Sequence, residues 1–215
     1  MTGDTGGFWR IRELAVTAST NADAGKAAEK GEAEGLVVRA LKQTAGKGRH
    51  GRSWESPEGN LYASLLLRPD CSPRHAVAFG FAASLAVRDV VSAAVPDVPV
   101  TLKWPNDVLA DGRKIGGILL ETATQKSGMV DWLVIGIGIN IEQYPKETLY
   151  PATSLGDLAG TLPSPDGLLN SLLARVRVWK ENLENQGFAG IRETWLTYAH
   201  KGQMSVKLPN ETVAG

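Results

Sequence analysis

The residues with the most chemical potential lie in one short stretch, Gly46-Lys47-Gly48-Arg49-His50-Gly51-Arg52, which runs into Ser53-Trp54-Glu55-Ser56-Pro57-Glu58-Gly59. Cations on a glycine-rich backbone suit closing over an anionic small molecule and suit a core poorly. The spacing of Gly46, Gly48 and Gly51 fits G-x-G-x-x-G, but a dinucleotide fingerprint needs a strand before it and a helix N-terminus behind it. No helical stripe follows: Pro57 and Gly59 intervene, and Leu61-Tyr62-Ala63-Ser64-Leu65-Leu66-Leu67 reads as a strand. A P-loop fails as well, because Gly48 follows Lys47 where Ser or Thr is needed, and Leu41 stands where the first glycine belongs. The expectation is a mobile basic loop between two strands, with a solvated hairpin as the plainer alternative.

Four further segments carry both a chemical and a structural reading. Leu102-Lys103-Trp104-Pro105-Asn106-Asp107 ends a strand in a turn, and it also presents a cation and an aromatic face where ligand sites form. Gly116-Gly117 interrupts the strand pattern of Lys114 to Glu121, as a bulge or as a place where something approaches the backbone closely. In Gly136-Ile137-Gly138-Ile139-Asn140-Ile141 the alternation makes one strand face apolar and strips the other, leaving room for a flat ligand or for tight sheet packing. Ser19-Thr20-Asn21 supplies N-cap chemistry, with ligand contact as the alternative use.

The elements that must position these residues follow from periodicity and punctuation. A strand over Trp9 to Val16 leads to a helix ending near Lys30, then a strand over Leu36 to Leu41, the basic loop, and a strand over Asn60 to Arg68. Pro73 to about Ala94 is a deeply buried helix, and Val100 to Trp104, Val108 to Ala110, Lys114 to Thr122 and Met129 to Ile141 are adjacent antiparallel strands. Two helices, near Asp166 to Asn185 and Ala189 to His200, precede a last strand and a turn whose return strand is absent, from Gln203 to Gly215. This order defines an α+β domain on one mixed, largely antiparallel sheet flanked by helices.

Composition narrows the function classes. The 215 residues, 43% hydrophobic, suffice for one full domain and the start of a second. Lys+Arg and Asp+Glu both number 23, so no basic excess points to DNA, and any cationic site is local. A single cysteine, Cys71, excludes an internal disulfide, and no Cys/His cluster has metal-ligand spacing. The N-terminus has no apolar signal region, and the apolar stretch Met129 to Ile141 is too short to span a bilayer. A cytoplasmic protein is expected, with no membrane partner.

Taken in order, Ser19-Thr20-Asn21, Gln43-Thr44-Ala45-Gly46-Lys47-Gly48-Arg49-His50-Gly51-Arg52-x-Trp54, Lys103-Trp104-Pro105-Asn106-Asp107, Lys114-Ile115-Gly116-Gly117-Ile118-Leu119-x-Glu121 and Gly136-Ile137-Gly138-Ile139-Asn140 closely resemble the catalytic core of biotin protein ligases. The resemblance spans about Ser19 to His200. It implies a biotin–lipoate ligase fold like that of class II aminoacyl-tRNA synthetases over residues 1–200, with 201–215 holding at most the first strand of a C-terminal SH3-like barrel. It also implies an enzyme that uses ATP and Mg²⁺ to make biotinyl-5′-AMP and then biotinylates a lysine of a biotin carboxyl carrier protein.

That chemistry needs no protein nucleophile, because a carboxylate is already ionised at neutral pH. It does need positive charge to hold two anions together, for which Arg49, Arg52, Lys103 and Lys114 are the candidates, with Mg²⁺ on the phosphates. By resemblance, Ser19, Thr20, Asn21, Gln43, Gly46, Lys47, Gly48, Arg49, Trp54, Lys114, Gly117, Gly136 and Gly138 bind biotin or its intermediate. Arg49, Arg52, Lys103, Asn106, Asp107 and Asn140 are expected to face ATP, and Asp107 is the candidate for orienting the acceptor amine or taking its proton. The family's loop commonly carries arginines where this chain has Lys47 and His50, which leaves Arg49 as the expected indispensable cation. Ser19 comes too early to leave room for the DNA-binding domain of some relatives, so DNA is not an expected partner, and a homodimer through sheet edges is compatible with the resemblance. Two rivals stand beside it: a lipoate or octanoyl ligase of the same fold, and, from another class, a non-catalytic biotin or biotinyl-AMP sensor that acts through partner binding.

Overall fold

Local signals set most element boundaries in the computed structural model, which describes residues 4–5, 7–146, 150–201, 205–207 and 212–214. After the short strand β1 (Asp4–Thr5) and β2 (Trp9–Thr17), helix α1 (Thr20–Glu29) opens on Ser19, whose extended backbone lets its Oγ accept from the Ala22 amide. Thr17 Oγ1 donates to Asp23 in the first turn at 2.5 Å, tying the end of β2 to the helix. Strands β3 (Leu36–Gln43) and β4 (Leu61–Leu67) lead to α2 (Pro73–Ala94), which has Pro at its start where a missing N–H costs nothing. Strands β5 (Val100–Lys103), β6 (Asp107–Ala110), β7 (Arg113–Thr124) and β8 (Val130–Ile139) follow, then a helical turn α3 (Leu155–Leu158) and α4 (Pro165–Thr197). Gly187, at φ 73°, breaks α4 into the two helices the sequence implies.

The eight-stranded sheet has the order β1-β2-β3-β4-β8-β7-β6-β5. Only β2 and β3 are parallel, joined by the α1 crossover; every other pair is antiparallel. One face, built from side chains such as Leu65, Ile115, Ile135, Ile137 and Ile139, is covered by α2, with α4 packed behind it. Each such side chain contributes about 1.5–3 kcal/mol on full burial. On the other face, α1 covers Leu36, Val38, Leu66 and Val134 and leaves the neighbouring part of the sheet open. That uncovered part holds the site. Beyond the outer edge, Leu102 of β5 bonds the returning chain, its N–H donating to Tyr198 O and its O accepting from His200 N, both at 2.8 Å.

Helix α2 has the length and mean hydropathy (1.5) of a membrane span, and its buried faces make it the core helix that its apolar circumference implied. Two expectations are corrected. The C-terminal residues contain a return strand: β9 (Ser205–Lys207) pairs antiparallel with β10 (Thr212–Ala214), too short a run to register as alternation. The basic segment takes the plainer of its two readings, a hairpin, and its arms are hydrogen-bonded where an open loop was expected. Lys47 bridges Ser53, Gln43 bridges Ser56, Trp54 N donates to Gly46 O at 2.8 Å, and Gly48 N donates to Arg52 O at 2.7 Å. Its tip is one turn of helix, Arg49–Gly51, with His50 at φ 55° and Gly51 at φ 73°.

Candidate functional site

Register explains how the scattered segments meet. Ala40, Tyr62, Gly138, Gly117, Asp107 and Lys103 pair in succession across β3, β4, β8, β7, β6 and β5, so they form one row on the open face. Two residues along, Val38, Ser64, Gly136 and Leu119 form a second row. Gly138 and Gly117 are adjacent in the first row and leave a trough in the sheet surface between Tyr62 and Asp107. The Trp54 indole lies in it: a Cβ on Gly138 would stand 2.8 Å from Trp54 Nε1, and one on Gly117 would stand 3.0 Å from Cζ3. Gly136 clears space for Asn21 in the same way, since a Cβ there would meet Asn21 Oδ1 at 2.0 Å. The neighbouring Gly116 points to the α2 side, toward Val87, and the register slips beside it, from Val108↔Gly116 to Leu109↔Lys114. Both readings of the glycine pair are thus realised, a close approach at one residue and a bulge beside the other.

The cavity above this floor is narrow, about 140 Å³, and opens to solvent at its mouth. At its β4/β8 end sits a neutral hydrogen-bonding set. Thr20 donates to Gln43 Oε1 through its N–H at 2.8 Å and its hydroxyl at 3.1 Å, and Gln43 Nε2 donates to Ser56 Oγ at 2.9 Å. Ser56 in turn donates to Trp54 O at 2.9 Å, so the helix start and the cover belong to one network. Ser64, fully buried, lies 2.8 Å from Thr20 Oγ1 and 2.5 Å from Asn21 Oδ1. Burial pushes the Tyr62 phenol well above its ordinary pKa, partly offset by a hydrogen bond with Asn60. It stays neutral and donates to Pro57 O at 2.9 Å.

The β6/β7 end is charged. Lys114 Nζ is 2.6 Å from Asp107 Oδ1 and 5.1 Å from the centre of the Trp54 ring. No hydrogen bond of good geometry serves that carboxylate oxygen, so the ammonium is its partner by charge alone. Asp107 is placed by Asn106, whose Nδ2 donates to Ile118 O at 3.0 Å while Ile118 N donates to Asn106 O at 2.9 Å. Arg49 and Arg52 line the cavity, and neither guanidinium has an ion-pair or hydrogen-bond partner among the described residues. Trp54 Nε1 is likewise a buried donor without an acceptor. Free cations and an unspent donor around a glycine-floored trough suit an anionic ligand with an apolar part.

Of the residues expected at the site, Ser19, Thr20, Asn21, Gln43, Lys47, Gly48, Arg49, Arg52, Trp54, Asn106, Asp107, Lys114, Gly117, Gly136 and Gly138 all line this cavity. Three do not. Lys103 lies one strand beyond Asp107 and stacks on Tyr150, 4.3 Å from the ring centre. Gly46 lies behind the lining, where a Cβ would stand 2.4 Å from Trp54 O. The Asn140 amide is bound to Thr153 O at 2.9 Å, while Thr153 N donates to Lys114 O, so it braces the backbone that carries Lys114. Sequence reasoning missed Ser53, Tyr62, Ile118, Leu119 and Ile137. For Tyr62 a signal existed, because Tyr62 and Ser64 put polar groups at alternate positions of an otherwise apolar strand.

A mixed sheet of this topology with an anion-ready cavity beside its first helix defines a class. Residues 14–140 match the model of the biotin/lipoate A/B protein ligase family, and the chain belongs to that family. It is 38% identical over 192 residues to the biotin–[acetyl-CoA-carboxylase] ligase of Paracoccus denitrificans, covering 86% of this chain and 79% of that protein. It is 39% identical over 214 residues to the enzyme of the same name from Mycobacterium tuberculosis, covering 95% of this chain and 77% of the relative. Among solved structures it resembles the biotin protein ligase from Aquifex aeolicus in complex with biotin and ATP, with a TM-score of 0.79 at 27% identity, covering 95% of this chain and 85% of the other.

Proposed function

We propose that this protein is an ATP-dependent biotin–protein ligase, which activates biotin as biotinyl-5′-AMP and passes the biotinyl group to a lysine of a biotin carboxyl carrier protein. The observation that carries the reading is the polarity of the trough. Its neutral end, around Ser64 and Gly136, and its charged end, at Asp107 and Lys114, are separated across β4, β8, β7 and β6. Three interstrand spacings make roughly 14 Å. A ligand with a ureido head and a carboxylate tail fits that order: it meets Thr20, Asn21 and Gln43 with its head, the Trp54 indole seated on the glycine floor with its apolar middle, and Lys114 with its carboxylate.

In the first step the carboxylate oxygen attacks the α-phosphorus and pyrophosphate leaves, with Arg49 and Arg52 offsetting the gathered negative charge. In the second, the acceptor amine attacks the acyl carbon, AMP leaves with the bonding electrons, and Asp107 orients the amine or receives its proton. Mg²⁺ would arrive on the phosphates, whose oxygens are the hard ligands it prefers. A cytoplasmic location, a sheet-edge homodimer and a boundary between residues 1–200 and a small module at 201–215 belong to the same reading. Biotin-dependent exchange of labelled pyrophosphate into ATP tests it. Exchange with biotin and not lipoate is the expected result; exchange with lipoate alone, or none, overturns it in favour of a lipoate ligase or a sensor.

A further inference from the structure

Glu121 lies outside the cavity lining, yet its carboxylate touches two parts of the site. Oε2 accepts from Asn21 Nδ2 at 2.8 Å, and Oε1 lies 4.0 Å from Lys47 Nζ in the basic hairpin. The first contact decides the orientation of a buried amide. An ionised carboxylate only accepts, so Asn21 must turn Nδ2 toward it and Oδ1 toward Ser64 and the Gly136 floor. Ser64 could serve either orientation, because a hydroxyl donates or accepts. Glu121 is therefore the member of this set that forbids the flip.

We propose that Glu121 is a positioning residue for the neutral end of the ligand: it fixes Asn21 with its acceptor toward the cavity and ties that orientation to the Lys47 arm of the cover. The inference rests on the biotin reading above and extends it to a residue outside the cavity. With Asn21 held this way, Asn21 Oδ1 and Thr20 Oγ1 form a pair of acceptors suited to a ligand head bearing N–H donors. The Lys47 contact is exposed and long, and an exposed ion pair contributes no more than about fivefold to an equilibrium. The hydrogen bond to the charged carboxylate contributes about tenfold or more.

The test compares the parent with Glu121→Ala and Glu121→Gln. In the pyrophosphate exchange assay, Glu121→Ala should raise the KM for biotin about tenfold and leave kcat and the KM for ATP within about twofold. Glu121→Gln should fall between, because its Oε1 can still accept from Asn21 while the charge toward Lys47 is lost. Parent-like biotin KM in both variants, or a joint fall in kcat with a rise in both KM values, overturns the proposal. A second readout needs no activity: the Asn21 side-chain amide protons, followed by NMR in the ligand-free chain, should exchange with solvent about tenfold faster in Glu121→Ala. If the parent itself shows no biotin-dependent exchange, the functional reading fails. The Asn21 amide then decides the positioning role alone, and an unchanged rate refutes it.

Discussion

Replacing Gly138 or Gly136 with alanine adds the same methyl group to the same strand, but the structure assigns the two changes different costs. At Gly138 the methyl carbon would stand 2.8 Å from Trp54 Cε2 and Nε1, inside contact distance, so the indole must rise from the trough. Trp54 is only partly buried and sits on the basic hairpin, so it can move without disturbing the core. At Gly136 the methyl would stand 2.0 Å from Asn21 Oδ1, and Asn21 is buried in α1, with Glu121 and Ser64 both bound to its amide. Nothing there can yield cheaply. Overpacking of this kind costs about 1–3 kcal/mol, and for a chain of this size each kcal/mol moves Tm by about 2–4 °C. Gly136→Ala should therefore lower Tm by roughly 2–12 °C, and Gly138→Ala by about 2 °C or less. The functional order reverses for the cover. Gly138→Ala should speed the escape of biotinyl-5′-AMP by about tenfold or more, because displacing the indole removes an apolar contact worth about 1.5–3 kcal/mol. Differential scanning fluorimetry measures the first effect, and release of labelled intermediate on gel filtration measures the second. Equal destabilisation by the two variants, or parent-like retention by Gly138→Ala, would refute the view that these glycines exist for what lies on them.

Two other outcomes follow from the charged end and the buried phenol. Asp107→Asn should slow transfer to the carrier about tenfold or more while adenylation changes much less, measured by single-turnover transfer beside pyrophosphate exchange; equal losses in both steps would remove Asp107 from the second step. Tyr62 has its folded pKa raised by burial, so its contribution to stability is complete below the ordinary tyrosine value near 10 and is lost as pH rises from there through the folded value. Between pH 10 and 11 the parent should lose up to about 1.4 kcal/mol more stability than Tyr62→Phe in urea titrations, and identical pH slopes would contradict the assignment.

Much of the domain is legible in its punctuation. Ser19 and Pro73 mark helix starts that the structure reproduces, and the expected gap between helices at Asn185 and Ala189 falls at Gly187, because caps and positive φ are local properties. The alternation at Gly136 and Gly138 correctly separated a core face from a stripped face, since strand geometry has a fixed period. Register was beyond reach, and it decides the rest. Lys103 and Asp107 stand in adjacent turn-flanking positions, yet pairing sets Asp107 beside Gly117 and Lys103 one strand farther out, against Tyr150. Asn140 reads as a polar group near a ligand, but its amide is held by Thr153. Glu121 stands after a bulge, so its distance to Asn21, a hundred residues earlier, has no trace in local pattern.

The tail of α4 has a consequence for where this domain ends. Residues 198–200 are too short to be a strand, yet they fill the hydrogen-bonding edge of β5 through Leu102. Open sheet edges template self-association, and this one would display Val100 and Leu102, both otherwise buried. The few residues past the last helix therefore act as a stopper against strand-to-strand polymerisation. A chain cut at the apparent end of α4 would keep every helix and strand of the sheet, and it would leave the Leu102 N–H and C=O open at the edge of β5.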